Sequence, residues 1–211
     1  MTGVRAVEPG LGAGCMWVEG WGHLPGQLIV LSGPSGSGKS TLLRLALERL
    51  GPGVRLSVSA TTRAPRPGER DGVDYIFLDR QEFLDAQARG ELLEWAEYNM
   101  QCYGTPARPV FEAMARDECV VLEIEVKGAL QVRERAPTAL FVFVDVPSFS
   151  ALETRLRARG TEDEPSIHRR LVRARWERDH AHCYDERIIN DDLGRAVEEL
   201  VALLGRHGCG G

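Results

Sequence analysis

Gly33-Pro34-Ser35-Gly36-Ser37-Gly38-Lys39-Ser40, followed by Thr41, fits the pattern Gly-x4-Gly-Lys-Ser/Thr. Glycines at this spacing let the backbone turn so that successive N–H groups point inward at phosphate oxygens. Lys39 can reach outer phosphates, and the Ser40 hydroxyl suits a magnesium ion. A second basic group lies on one loop, where Arg63, Arg66 and Arg70 fall within eight residues stiffened by Pro65 and Pro67. Arginine forks bind phosphate through two parallel bonds, and a stiff loop loses little entropy on binding. Tyr75, Tyr103 and Thr105 add hydroxyl groups downstream. Taken alone, the loop is equally consistent with solvated charge and with an anion site. Glu94, Glu123 and Glu125 are carboxylates within apolar runs, each costly to bury unpaired. A structural ion pair is the plain alternative for the last two.

These residues need elements to hold them. Leu28–Ser32 is an apolar run of strand length, and after it apolar residues at 42, 43, 46, 47 and 50 share one helical face. The glycine-rich segment therefore joins a strand to a helix, and the helix adds its free N–H groups and positive dipole end to the phosphate cradle. Gly51-Pro52-Gly53 stops that helix. Alternation predicts a half-exposed strand at 54–58 and another at 73–78. Asp79-Arg-Gln-Glu82 reads as a capping box opening a short helix that ends at Gly90. A strand over 92–98 and a tight turn at 103–106 come next, then a helix near 107–116. Cys119–Val126 reads as an apolar strand bearing Glu123 and Glu125 on one face. Helices near 128–135, 148–160, 165–181 and 193–204 alternate with strands at 139–145 and 187–190. Apolar strands alternating with helices mean an α/β fold, with a central parallel sheet covered on both faces. The stretch 57–105 breaks the alternation and reads as an inserted lobe.

Bulk properties narrow the function. The 211 residues suit one domain. A net charge of −5 argues against general affinity for nucleic acid or an anionic membrane, so an anion site must be a local cluster. No apolar run approaches the ~18 residues of a membrane span, and no signal peptide is visible. Five scattered cysteines without a C-x-x-C pair suggest reduced thiols in a cytoplasm, not a disulfide frame or a zinc site. The five histidines show no ligand spacing. Residues 1–26, with seven glycines and two prolines, read as a loose extension.

The ordered set of motifs resembles the guanylate kinase family. The resemblance rests on Gly33-Pro-Ser-Gly-Ser-Gly-Lys-Ser-Thr41, on Ser59-x-Thr-Thr-Arg-x-Pro-Arg-Pro-Gly-Glu69 and on Asp74-Tyr75. It extends through Glu94-Trp95-Ala96, Tyr103-Gly104-Thr105, Glu123-Ile-Glu125, Arg159-Gly160-Thr161-Glu162 and Asn190-Asp191-Asp192. It runs from about Gln27 to Leu204 and implies a P-loop three-layer fold. The domain would span 27–205, with an inserted GMP-binding lobe near 57–105 and a small lid near 155–172.

The resemblance further implies an ATP:GMP phosphotransferase, with ATP and GMP (and conceivably dGMP) as substrates and Mg2+ as cofactor. ATP would bind the whole P-loop, Gly33 through Thr41, with Asn190 on the donor side. Arg63, Arg66, Tyr75 and Tyr103 would hold the acceptor phosphate, while Ser59, Glu94, Thr105 and Glu125 would read guanine. Ser40 and Glu123 would lie at the metal. Lys39, with lid residues Arg155, Arg159 and Arg170, would stabilise the transferring phosphoryl group; Arg173 is a weaker candidate. Arg70 receives no role. Glutamates at 123 and 125 stand where aspartates are frequent, and Lys127 stands where glutamine is expected, so a Lys127 salt bridge could reposition the metal contacts. Two other readings fit a P-loop chain: a silent interaction domain of the same family, which should have lost P-loop or GMP-site residues, and a kinase for another small acceptor.

Overall fold

A computed structural model describes residues 21–98, 100–158 and 163–209. Five parallel strands form the central sheet: β1 (Leu28–Ser32), β2 (Val54–Leu56), β7 (Cys119–Glu123), β8 (Leu140–Asp145) and β9 (Glu186–Ile189), in the order β2-β7-β1-β8-β9. All five β1 residues are buried, and their alternation supplies both faces. Ile29 and Leu31 pack with Leu42, Leu43 and Ala46 of α1 (Lys39–Leu50) and with Val197, Leu200 and Leu204 of α7 (Leu193–Arg206). Leu28 and Val30 pack with Val110 and Met114 of α3 (Ala107–Ala115) and with Ala129 and Val132 of α4 (Val126–Arg135). The result is an α/β fold of helix, sheet and helix layers. Two further helices follow β8, α5 (Phe149–Ala158) and α6 (Glu164–Asp179). Ser148 Oγ accepts from Ala151 N at 3.1 Å at the start of α5.

A second sheet of four strands has the order β4-β3-β6-β5, made by β3 (Ala60–Thr61), β4 (Ile76–Phe77), β5 (Leu92–Tyr98) and β6 (Gln101–Pro106). Its small core gathers Ala60, Leu92 and Cys102 around Phe83 of α2 (Arg80–Ala88). The capping box at Asp79 and Glu82 is present in both directions.

Three local expectations need correction. Residues 103–106 are not a turn but part of β6, antiparallel to β5, and the chain reverses near Met100, which takes φ 61°. The 73–78 strand shrinks to Ile76–Phe77 because Val73 N and Asp74 N both bond back to Arg70 O in a turn. The strand carrying the carboxylates ends at Glu123, and Glu125 is the extended N-cap of α4. The two carboxylates therefore sit on different elements, not on one strand face.

The cysteine expectation also fails. Cys119, at the start of β7, is disulfide-bonded to Cys209, just beyond α7, across 90 residues of chain. Sequence spacing gives no warning, because α7 returns over the sheet and sets its C-terminal turn beside β7. Cys102 and Cys183 are free thiols. A bridge closing so long a loop contributes ~2–4 kcal/mol by constraining the unfolded chain. Reduction is therefore expected to lower the melting temperature by roughly 5–15 °C. Thermal melts with and without dithiothreitol check this, with Cys209→Ser as the variant that should lose the reductant dependence. A reductant-independent wild-type melt would contradict it.

Candidate active site

At the C-terminal end of β1 the chain enters the phosphate loop in conformations only glycine adopts easily. Gly36 and Gly38 have φ of 94° and 84°, and a Cβ on Gly38 would lie 2.5 Å from Asn190 Nδ2. Asn190 is buried and donates through Nδ2 to Ser37 O at 2.7 Å. Arg155, from α5, donates to Asn190 O at 2.8 Å and to Ser37 O at 3.4 Å. Arg170, from α6, bonds Ser35 Oγ. Two of the three arginines expected around the transferring phosphate thus meet the loop from two different helices; Arg159 lies outside the described residues. Pro34 O accepts from Ser37 N at 3.0 Å, closing the loop on itself. Because α1 begins at Lys39, the amides of Lys39, Ser40 and Thr41 form its first turn, the part of a helix that attracts anions.

Across from the loop, the end of β7 presents Glu123. Ser40 Oγ donates to Glu123 Oε1 at 2.5 Å, and Lys39 Nζ lies 3.4 Å from the same oxygen. A hydroxyl beside a carboxylate is the hard oxygen pair that Mg2+ favours, and that ion keeps several waters and phosphate oxygens besides. The residues present therefore fit a magnesium ion held jointly with a triphosphate. Lys127 does not join this group, as its Nζ faces the Trp176 ring 6.0 Å from the centroid.

The second sheet carries the other residues. Arg63 follows β3 and donates two parallel hydrogen bonds to Glu69, at 2.9 Å to each carboxylate oxygen, with its guanidinium 5.3 Å from the centroid of Tyr75. Tyr75 and Tyr103 meet edge to face at 6.3 Å. Glu69 Oε2 accepts from Arg66 N at 2.7 Å, which fixes the backbone there while the Arg66 side chain stays exposed. Arg63, Tyr75 and Tyr103 thus form one cluster beside Glu69, with the exposed Arg66 next to it. Ser59 is half-buried just before β3, with its carbonyl accepting from Ile76 N at 2.9 Å. Arg70 is exposed, and its amide bonds Asp74 at 2.8 Å.

Glu94, in β5, is 6% exposed and accepts from Thr105 Oγ1 at 2.7 Å across the β5–β6 pair. Burial pushes its carboxyl up to about 7, the Thr105 bond opposes the shift, and the charge of Glu125 adds to it. Helix α4 brings these two glutamates close. A Cβ on Gly128 would lie 2.3 Å from Glu94 Oε2, so only glycine admits the carboxylate there. Gln131 donates to Trp95 O at 2.8 Å and accepts from Trp95 N at 3.2 Å, and Arg135 donates to Leu93 O at 2.8 Å.

Several positioning residues escaped the sequence reading. Glu69 was visible within the motif but had no assigned partner. Gly128, Gln131 and Arg135, spaced three and four apart, line one face of α4 and could have been read as a polar stripe against another element. The pairing of Arg173 with Glu125 left no sequence signal, since it joins residues about fifty apart, whereas its pairing with Glu177 is an i,i+4 contact along α6.

Comparison with known proteins decides the family. The guanylate kinase family model matches residues 25–207. The chain belongs to the guanylate kinase family. It is 53% identical over 183 residues to a guanylate kinase of Gloeobacter violaceus, covering 87% of this chain and 89% of the relative. It is 50% identical over 182 residues to one from Synechocystis sp., covering 86% and 95%. The crystal structure of guanylate kinase from Anaplasma phagocytophilum matches with a TM-score of 0.69 and 31% identity, covering 86% of each chain. The activity is that of an ATP:GMP phosphotransferase. No helix among the described residues is long and apolar enough to cross a membrane.

Proposed function

We propose that the chain transfers the γ-phosphoryl group of ATP directly to the phosphate of GMP, giving GDP and ADP, with the residue roles that follow. The observation that carries the acceptor assignment is Glu94, a buried carboxylate held by Thr105 beside an arginine–tyrosine cradle. Guanine presents N1–H and an exocyclic N–H2 as neighbouring donors, which match carboxylate oxygens. Adenine has an acceptor at N1 and no 2-amino group, so it would leave Glu94 buried and unmatched, a loss of ~1–3 kcal/mol or more. The silent-domain alternative loses its ground, since Lys39, Ser40, Arg63 and Arg66 are all in place.

The acceptor phosphate is already an anion, so the reaction needs no general base. The chain's work is positioning and charge neutralisation. Arg63, Tyr75 and Tyr103 hold the GMP phosphate, and Arg66 closes on it from the rim. Ser59 and Glu125 complete the guanine contacts. The loop amides and Lys39 hold the ATP phosphates, and Arg155 and Arg170 reach the same loop from α5 and α6. Magnesium, held by Ser40 and Glu123 through oxygen, would supply charge neutralisation of the phosphates. The four-stranded lobe (about 57–105) and the lid (about 155–172) close over the sheet and exclude water. ATP and GMP are its small-molecule partners.

Calorimetric titration with GMP, AMP and UMP tests the acceptor assignment. GMP should bind, with AMP and UMP weaker by orders of magnitude. Equal binding of the three would overturn the guanine assignment.

A further inference from the structure

Three parts of the chain meet on one guanidinium. Arg173, in α6, donates through Nε to Glu177 Oε1 at 3.1 Å, one turn along the same helix. Its Nη2 pairs with Oε2 of Glu125, the N-cap of α4. The same group lies over Tyr98 in β5, 5.1 Å from the ring centroid. Glu177 is 3% exposed, and its Oε2 is buried without a hydrogen-bond partner among the described residues. The arginine is thus fixed from below by a buried carboxylate and from the side by an aromatic face. That arrangement differs from an exposed i,i+4 pair, which holds neither partner still.

We propose that Arg173 is a specificity-determining positioning residue, which holds Glu125 by Oε2 so that Oε1 is presented to the guanine edge. This rests on the reading of Glu125 as a guanine acceptor. A carboxylate free to rotate would accept from many ligands and would lose entropy in meeting any of them. One fixed by a planar fork offers its remaining oxygen in one direction only. Charge gives a second reason. The charge of Glu125 adds to the upward push on the Glu94 carboxyl, and two carboxylates facing a neutral base need a counter-charge that the base does not bring. Arg173 supplies it from the side away from the ligand. Lysine would keep the charge but lose the fork, so charge and direction can be separated by substitution.

The test is steady-state kinetics with GMP and with IMP, which lacks the 2-amino group, for wild type, Arg173→Met, Arg173→Lys and Glu125→Gln. Arg173→Met leaves buried Glu177 unpaired, so the double variant Arg173→Met/Glu177→Gln is measured beside it, and circular dichroism confirms folding. Loss of Arg173 should raise the KM for GMP about tenfold, as expected when a charged hydrogen-bond geometry is lost. It should change kcat and the KM for ATP less, and it should reduce the preference for GMP over IMP. Arg173→Lys should recover part of the KM but not the preference. Retention of the preference in Glu125→Gln would remove the reading beneath the proposal, and the proposal with it. Loss of preference in Glu125→Gln with retention in the Arg173 variants would overturn the proposal alone. A lower KM for GMP without Arg173 would also overturn it, because the arginine would then be competing with guanine for Glu125.

Discussion

Glu94→Gln is expected to make the empty protein more stable above pH 7 while raising the KM for GMP by roughly 10–100-fold. Both effects come from one buried carboxyl. Its folded value is raised from 4.5 to about 7, with desolvation as the largest cause. Between pH 4.5 and 7 the folded state therefore binds more protons than the unfolded state, and stability falls as pH rises through that window. Above pH 7 the full penalty is present, on the order of 3 kcal/mol for a shift of this size. Below pH 4.5 both states are protonated and the penalty vanishes. The glutamine removes the titration, so the melting-temperature gain over wild type should be large at pH 8 and shrink toward pH 5. Function moves the other way. Guanine donors need the ionised carboxylate, so wild-type affinity for GMP should rise as pH increases through about 7. A glutamine offers one acceptor and one misplaced donor, and its affinity should lack that rise. Thermal melts at pH 5 and pH 8, with GMP titrations at the same values, check both halves. A variant no more stable at pH 8 than at pH 5 relative to wild type would contradict the cost assigned to burying the charge.

Lys39→Met is expected to lower kcat by about 10²–10³-fold, the usual cost of removing one well-placed donor to a developing charge. Lys39 stands at the start of α1, 3.4 Å from Glu123, on the phosphate loop and not on the second sheet. The loss should therefore appear with ATP saturating and should leave GMP affinity within a few-fold of wild type. Rapid-quench measurement of a single turnover separates the chemical step from product release. A fall in GMP affinity as large as the fall in kcat would mean that the lysine serves both substrates.

The phosphate loop was legible because its chemistry is local. Gly33 to Ser40 folds against the strand before it and the helix after it, and periodicity identifies both. The alternating strands and helices of the central sheet were legible for the same reason. Elements of the second sheet were harder to read, because β3 and β4 are two residues long and exist only through pairing with β6 and each other. No period can be read from two residues. Residues 103–106 read as a turn because Gly104 and Pro106 are turn formers. Gly104 is instead a close approach, where a Cβ would lie 2.8 Å from Glu94 O and 3.1 Å from Phe83. Candidate residues defined by type and motif, Arg63, Glu94 and Asn190 among them, were legible from the sequence. Pairings between residues distant in sequence were not: Arg173 with Glu125, Gly128 with Glu94, and Cys119 with Cys209.

The most direct test is ADP formation from MgATP with GMP and, in parallel, with AMP, comparing wild type with Arg66→Ala. The arginine–tyrosine cradle and the buried Glu94 predict rapid turnover with GMP, turnover with AMP lower by roughly 10³-fold or more, and loss of most GMP turnover in the variant. Comparable turnover with AMP, or ATP binding with no GMP-dependent ADP, would contradict the account.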